Sequence, residues 1–151
     1  MRLMLDLKIN SPEKKLHYSQ QIGLIGSCFS EQIGSRLKVL KFTVLQNPNG
    51  ILYDPLSISS SLISYVEDKQ YQPEDLFYLH ELWHSWQHHS LFSGIDKNEV
   101  LNNINRSQTN AYTFFKQANW LIVTLGSAYH YKLITEQVDV ANCHKASADD
   151  F

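Results

Sequence analysis

Cysteine is scarce. The 151 residues hold two, Cys28 and Cys143, at no metal-ligand spacing. A single pair is no disulfide framework, so reduced thiols are expected. A surplus of positive charge is also missing. Thirteen Lys and Arg stand against fifteen Asp and Glu, a net charge of −2. Nothing is left over to neutralise phosphates, which argues against a nucleic-acid partner. Long apolar runs are absent too. The opening Met1-Arg2-Leu3-Met4-Leu5-Asp6-Leu7-Lys8 is interrupted by charge before a signal-peptide core forms. No run approaches the roughly 18 residues of a membrane span. These absences lead to the expectation of a soluble cytoplasmic protein with no membrane partner. No internal repeat or low-complexity linker is found.

What is present suffices for a core. Apolar residues make up 43% and aromatics 12% of the chain, and the length fits one domain spanning 1–151. Ile22-Gly23-Leu24-Ile25-Gly26 reads as a buried strand. Ser27 through Leu40 reads as a helix with Phe29, Ile33, Leu37 and Leu40 on one face. Phe42 to Gln46 is a second strand, closed by the turn residues Asn47-Pro48-Asn49-Gly50. Asp54-Pro55 has the form of an N-cap followed by proline at the first helical position. That helix would carry Leu56, Leu62, Ile63 and Val66. Asp96 with Glu99 resembles a capping box, and Val100, Ile104, Ala111, Phe115 and Ala118 form the stripe of the helix that follows. Trp120 to Gly126 is a third strand, apolar enough to predict burial on both faces. A short hairpin or edge strand is expected between Ile134 and Val140.

Strands alternating with helices predict an α/β fold with a parallel sheet and helices on both faces. Ligands in such sheets bind beyond the carboxyl ends of the strands. Three small polar turns fall at those ends: Gly26-Ser27-Cys28, Asn47-Pro48-Asn49-Gly50 and Gly126-Ser127-Ala128. Topology predicts that they converge.

Ser27 stands where the first strand hands over to its helix. An oxygen there lies near the positive end of the helix dipole, and backbone N–H groups around it would stabilise an oxyanion. That makes it a candidate nucleophile, with plain helix capping as the alternative. Cys28 competes, because a helix N-terminus lowers a thiol pKa, but a buried core role is its simpler reading. His80-Glu81-Leu82-Trp83-His84 spells the H-E-x-x-H pattern of zinc hydrolases. On a helix it would put two imidazoles on one face with Glu81 as base. Leu79, Leu82, Trp83 and Trp86 share that helical spacing, yet no third ligand stands out. His84, His88 and His89 form a dense histidine cluster, either part of a polar site or a surface feature. Asn142-Cys143-His144-Lys145 gathers an amide, a thiol, an imidazole and an amine, either a site or an ordinary polar loop.

Taken together, these blocks resemble the GSCFA domain family of bacterial proteins, itself similar to the SGNH (GDSL-like) esterase superfamily. Gly26-Ser27-Cys28-Phe29-Ser30 resembles the name-giving motif, and Asn47 through Pro55 a second block. Trp83-His84-Ser85 with His88-His89-Ser90 and Phe92-Ser93-Gly94 resembles a third. Thr124-Leu125-Gly126-Ser127-Ala128 and Asn142-Cys143-His144-Lys145 resemble two more. The resemblance implies a three-layer α/β fold of the flavodoxin-like SGNH hydrolase type, incomplete within this chain. It implies Ser27 as nucleophile of an esterase or acyl hydrolase, with the N–H groups of Ser27 and Gly50 as oxyanion donors. Cys28, Asn47, Asn49, His84, His88, His89, Gly126, Ser127, Asn142 and His144 would line the pocket for a small ester or acylated substrate. No metal or cofactor is expected.

The departures are informative. Ser30 replaces a usual alanine, Asn49 a usual aromatic and Ser147 a usual proline. Ala128 stands where related esterases carry an oxyanion asparagine, for which Asn142 is a candidate substitute. The superfamily's catalytic histidine and its acidic partner lie near the far end of longer chains. The resemblance therefore implies that residues 1–151 are the N-terminal portion of a longer domain, inactive alone because its base lies outside this chain. A third strand left as an unpaired apolar edge would favour homo-oligomers. The alternatives are a non-catalytic binding or assembly module on the same fold and, further off, a zinc hydrolase using His80, Glu81 and His84.

Overall fold

The computed structural model describes residues 10, 13–141 and 144–151. Its centre is β1 (Gln21–Gly26), buried along nearly its whole length. β2 (Thr43–Gln46) pairs with one side of β1 and β5 (Trp120–Thr124) with the other, both in parallel. In register, Ile22 lies beside Val44 and Trp120, and Gly26 beside Thr124. The chain leaves β1 for β2 on one side and returns through β5 on the other. In a sheet of this topology the ligand crevice is expected at the carboxyl end of β1.

α1 (Cys28–Val39) follows β1 directly, with Ser27 as its N-cap. α2 (Pro55–Val66) starts at Asp54, whose carboxylate accepts the Ser57 N–H at 2.8 Å. α3 (Lys97–Phe115) starts at Asp96, which accepts from both Asn98 and Glu99. Each cap satisfies donors that a helix start leaves unpaired. Between α2 and α3 lies an antiparallel hairpin, β3 (Leu76–Leu79) and β4 (Leu82–Ser85).

Successive residues of a strand face opposite ways. Ile25 joins a core with Leu52, Ile58, Tyr65, Ala111 and Ala141, which α2 and α3 help to build. On the same face Gly23 leaves room for the Phe115 ring of α3; a methyl group there would collide with it. Ser30 of α1 reaches Thr124, which lies on the opposite face. A second core under the hairpin joins Tyr71, Leu76, Val100 and Ile104, with Trp83, Phe92 and Leu101 against it.

Several sequence expectations change. α1 buries Ser30 and Gly34, not the stripe from Phe29 to Leu40; Phe29 is 61% and Leu40 57% exposed. The reason is close approach: Gly34 lies against the Gln46 side chain of β2. α2 buries Ile58, Ser61, Ser64 and Tyr65, while Leu56, Ile63 and Val66 are exposed. β5 is not covered on both faces, since Leu121 and Val123 are 48% and 42% exposed. Among the described residues it pairs with β1 alone, so the sheet presents it as an edge. The late hairpin exists but is displaced to β6 (Tyr131–Lys132) and β7 (Asp139–Val140).

The Gly23–Phe115 contact yields a stability prediction. Gly23→Ala should destabilise the chain by about 1–3 kcal/mol in urea titrations, the usual cost of overpacking. Adding Phe115→Leu should recover part of that loss, because neighbouring substitutions couple. An unchanged denaturation midpoint for Gly23→Ala would show that the ring moves aside freely.

Candidate functional site

The three turns meet. Asn47 Oδ1 accepts the Gly26 N–H at 2.9 Å, and the Asn47 N–H donates to Leu24 O at 2.8 Å. The Leu52 N–H donates to Gly26 O at 3.1 Å. Tyr53 O accepts from both Gly126 (2.8 Å) and Ser127 (3.1 Å). A methyl group on Gly126 would stand 2.6 Å from Tyr53 Cδ1 and 3.3 Å from Ser27 Cβ. The turn after β5 therefore sits directly on the serine.

Ser27 is 7% exposed. Its Oγ lies 2.9 Å from Thr124 Oγ1 and accepts the Phe29 N–H at 3.4 Å, a long capping bond. Its N–H is shared between Thr124 O at 3.0 Å and Thr124 Oγ1 at 3.1 Å. The Gly50 N–H closes its own turn on Asn47 O at 2.8 Å. Both N–H groups expected to face an oxyanion thus have internal acceptors, because one ends the β1–β5 pairing and the other closes a tight turn. Among the described residues no imidazole or carboxylate hydrogen-bonds to Ser27 Oγ. No described group accepts the Cys28 N–H, and the Cys28 side chain is exposed instead of sitting in the core. Its position in the first helical turn explains both facts.

Asn47 and Asn49 are buried pins. Asn47 Nδ2 donates to Glu31 Oε2 at 3.0 Å. Asn49 Oδ1 accepts the Tyr65 hydroxyl at 2.8 Å, its Nδ2 donates to Gln87 O at 3.0 Å, and its carbonyl accepts the His89 N–H at 2.8 Å. A side chain at Gly50, where φ is +80°, would run into His89. The histidine loop is thereby seated on the turn that follows β2. Ser127 is half-buried and closes a local turn with Tyr129.

The histidines divide. His84, His88 and His144 are buried. His84 Nε2 lies 2.9 Å from Leu79 O and its Nδ1 2.6 Å from Ser93 Oγ. A carbonyl only accepts, so Nε2 carries the proton and Nδ1 accepts from Ser93. His144 Nε2 donates to Ser85 O at 2.9 Å, while its ring stacks edge-on against Phe77 and lies 4.7 Å from His84. His88 Nδ1 is 2.9 Å from Ser85 Oγ. These three imidazoles pack the interior beneath the hairpin, where His88 Nε2 and His144 Nδ1 have no hydrogen-bond partner among the described residues. Only His89 of the four is partly exposed. Its Nδ1 accepts the Leu91 N–H at 3.2 Å, which places the neutral ring's proton on Nε2. Asn142 and Cys143 lie outside the described residues.

The zinc reading is overturned by the backbone. His80 and Glu81 occupy the two-residue turn between β3 and β4, both at positive φ (48° and 63°). That is the signature of a type I′ hairpin, not of a helix. His84 is on β4 with both ring nitrogens engaged, so the two histidines share no helical face. Among the described residues no three metal-ligating side chains cluster.

A family model described as the GSCFA family matches residues 21–151. The chain belongs to the GSCFA family. No curated protein and no solved structure gives a match. The GSCFA match takes in all three turns, the histidine loop and β5. Thr124 and Tyr53 are the contacts of Ser27 and of its neighbouring turn that sequence reasoning missed. The one polar residue in the run from Trp120 to Leu125 was the available signal for Thr124.

Burial holds His88 down to about 3, helped by the charge of Lys69, and His144 down to about 4. Both are neutral when folded and protonate near 6.5 when unfolded. The unfolded state therefore binds more protons below pH 6.5. Stability is complete above that value and falls as pH drops toward 4, by about 1.4 kcal/mol per pH unit for each imidazole. Urea unfolding at pH 7, 6 and 5 should show this slope, and His88→Leu should flatten it.

Proposed function

We propose that this GSCFA chain carries the nucleophile of a serine-dependent acyl-ester hydrolase of SGNH type, built on a three-layer α/β domain. One observation carries the reading. Ser27 caps α1 at the carboxyl end of the central strand, where three turns meet at the switch point of a parallel sheet. Ser27 Oγ would attack the acyl carbonyl, forming an Oγ–C bond. The serine proton would pass to a base and then to the departing alkoxide, and water would hydrolyse the acyl-enzyme. The Cys28 N–H, on the residue after the nucleophile and at the positive end of α1, is the donor best placed for the oxyanion. The base is a histidine other than the buried three. The substrate is a small ester or acylated compound met in the cytoplasm, with neither nucleic acid nor membrane involved.

A second reading, a non-catalytic binding module, draws on the internal bonds of the Ser27 and Gly50 N–H groups. One experiment separates the two. On full-length protein, with a fluorophosphonate probe and a short-chain p-nitrophenyl ester, the hydrolase reading expects covalent labelling at Ser27. It also expects turnover that drops about 10³-fold or more in Ser27→Ala. A protein that stays unlabelled and turns over no ester would leave the binding module standing.

A further inference from the structure

Ser30, the residue that departs from the name-giving motif, is fully buried one turn into α1 from Ser27. Three short oxygen–oxygen contacts run inward from the nucleophile. Ser27 Oγ lies 2.9 Å from Thr124 Oγ1, Thr124 Oγ1 lies 2.8 Å from Ser30 Oγ, and Ser30 Oγ lies 3.2 Å from the carbonyl oxygen of Ile25. The three hydroxyls bring three protons to these three contacts, and the carbonyl brings none. Were Ser30 to donate to Thr124, two bare oxygens would face each other at Ile25. Only one assignment puts a proton in every contact: Ser30 donates to Ile25, Thr124 donates to Ser30, and Ser27 donates to Thr124. Thr124 Oγ1 then also accepts the Ser27 N–H at 3.1 Å, which fills its two lone pairs.

We propose that Ser30 and Thr124 are positioning residues that restrain the nucleophile by holding the Ser27 hydroxyl proton toward β5, away from the crevice. The proposal rests on Ser27 being the nucleophile. In the resting chain the serine offers the crevice a lone pair and no proton. A base in the crevice reaches that proton only after the hydroxyl rotates off Thr124. The direction of the chain depends on Ser30. With alanine there, the proton on Thr124 is free to turn to Ser27 Oγ, which releases the serine's own proton to the base. Thr124→Val removes the acceptor outright, and Thr124→Ser keeps it.

The test measures, on full-length protein, the rate of fluorophosphonate labelling at Ser27, in which an Oγ–P bond forms, fluoride leaves and the serine proton goes to base. Ser30→Ala and Thr124→Val should label about fivefold faster than the native chain, the value of one net hydrogen bond. Thr124→Ser should label at the native rate. Equal or slower labelling of Ser30→Ala overturns the restraint, and a Thr124→Ser variant that behaves like Thr124→Val assigns the effect to packing. Neutron diffraction on deuterated protein reads the same question without any activity. The deuteron of Ser27 should lie toward Thr124 and that of Thr124 toward Ser30; a Thr124 deuteron on Ser27 Oγ overturns the proposal. If neither the native chain nor Ser30→Ala labels, the hydrolase reading fails, and the deuteron positions still decide the direction of the chain.

Discussion

The carboxyl end of β1 is where this structure is held together by hydrogen bonds rather than by apolar burial. Gly26 and Ser27 leave the strand, and their two N–H groups are taken by side chains or carbonyls from the neighbouring strand ends, Asn47 on one side and Thr124 on the other. A buried N–H without an acceptor is costly, so these bonds fix where both flanking turns sit. The approach of Gly126 to Ser27 and the seat of the histidine loop on Asn49 and Gly50 follow from that anchoring. Without it the three turns are separate surface loops.

Polar groups in the interior reinforce the same frame. The Tyr65 hydroxyl, Asn49, Ser61, Ser64 and Gln108 link α2, α3 and the turn after β2. Such a network is worth keeping only when its members are satisfied, and then it specifies one arrangement. His84 acts similarly under the hairpin, where its two ring nitrogens tie β4 to Leu79 and Ser93.

Much of the fold was legible in one dimension. Strands β1, β2 and β5 announced themselves as short apolar runs, and Asp54, Asp96 and Ser27 as caps, because those signals depend on neighbours a few residues apart. The inward faces of α1 and α2 were not legible. Both turn small residues inward, Ser30 and Gly34 or Ser61 and Ser64, since the partner surface comes close. Apolar periodicity reports what a helix has to bury, whereas the distance to its neighbour decides what it does bury. The hairpin at His80-Glu81 was not legible for a related reason. It lacks the Asn-Gly type of turn signal, and its apolar residues happen to fall at helical spacing.

The sequence by itself determined that three small polar turns follow three parallel strands, that a serine caps the first helix, and that the motif blocks are those of the GSCFA family. Those properties are local, carried by residue type and short spacing. Only the tertiary structure decided which hydroxyl the serine touches, which amides are already spent, and which histidines lie inside. Thr124 lies 97 residues from Ser27 along the chain. A contact of that range is set by parallel strand register, and register depends on how every element packs at once.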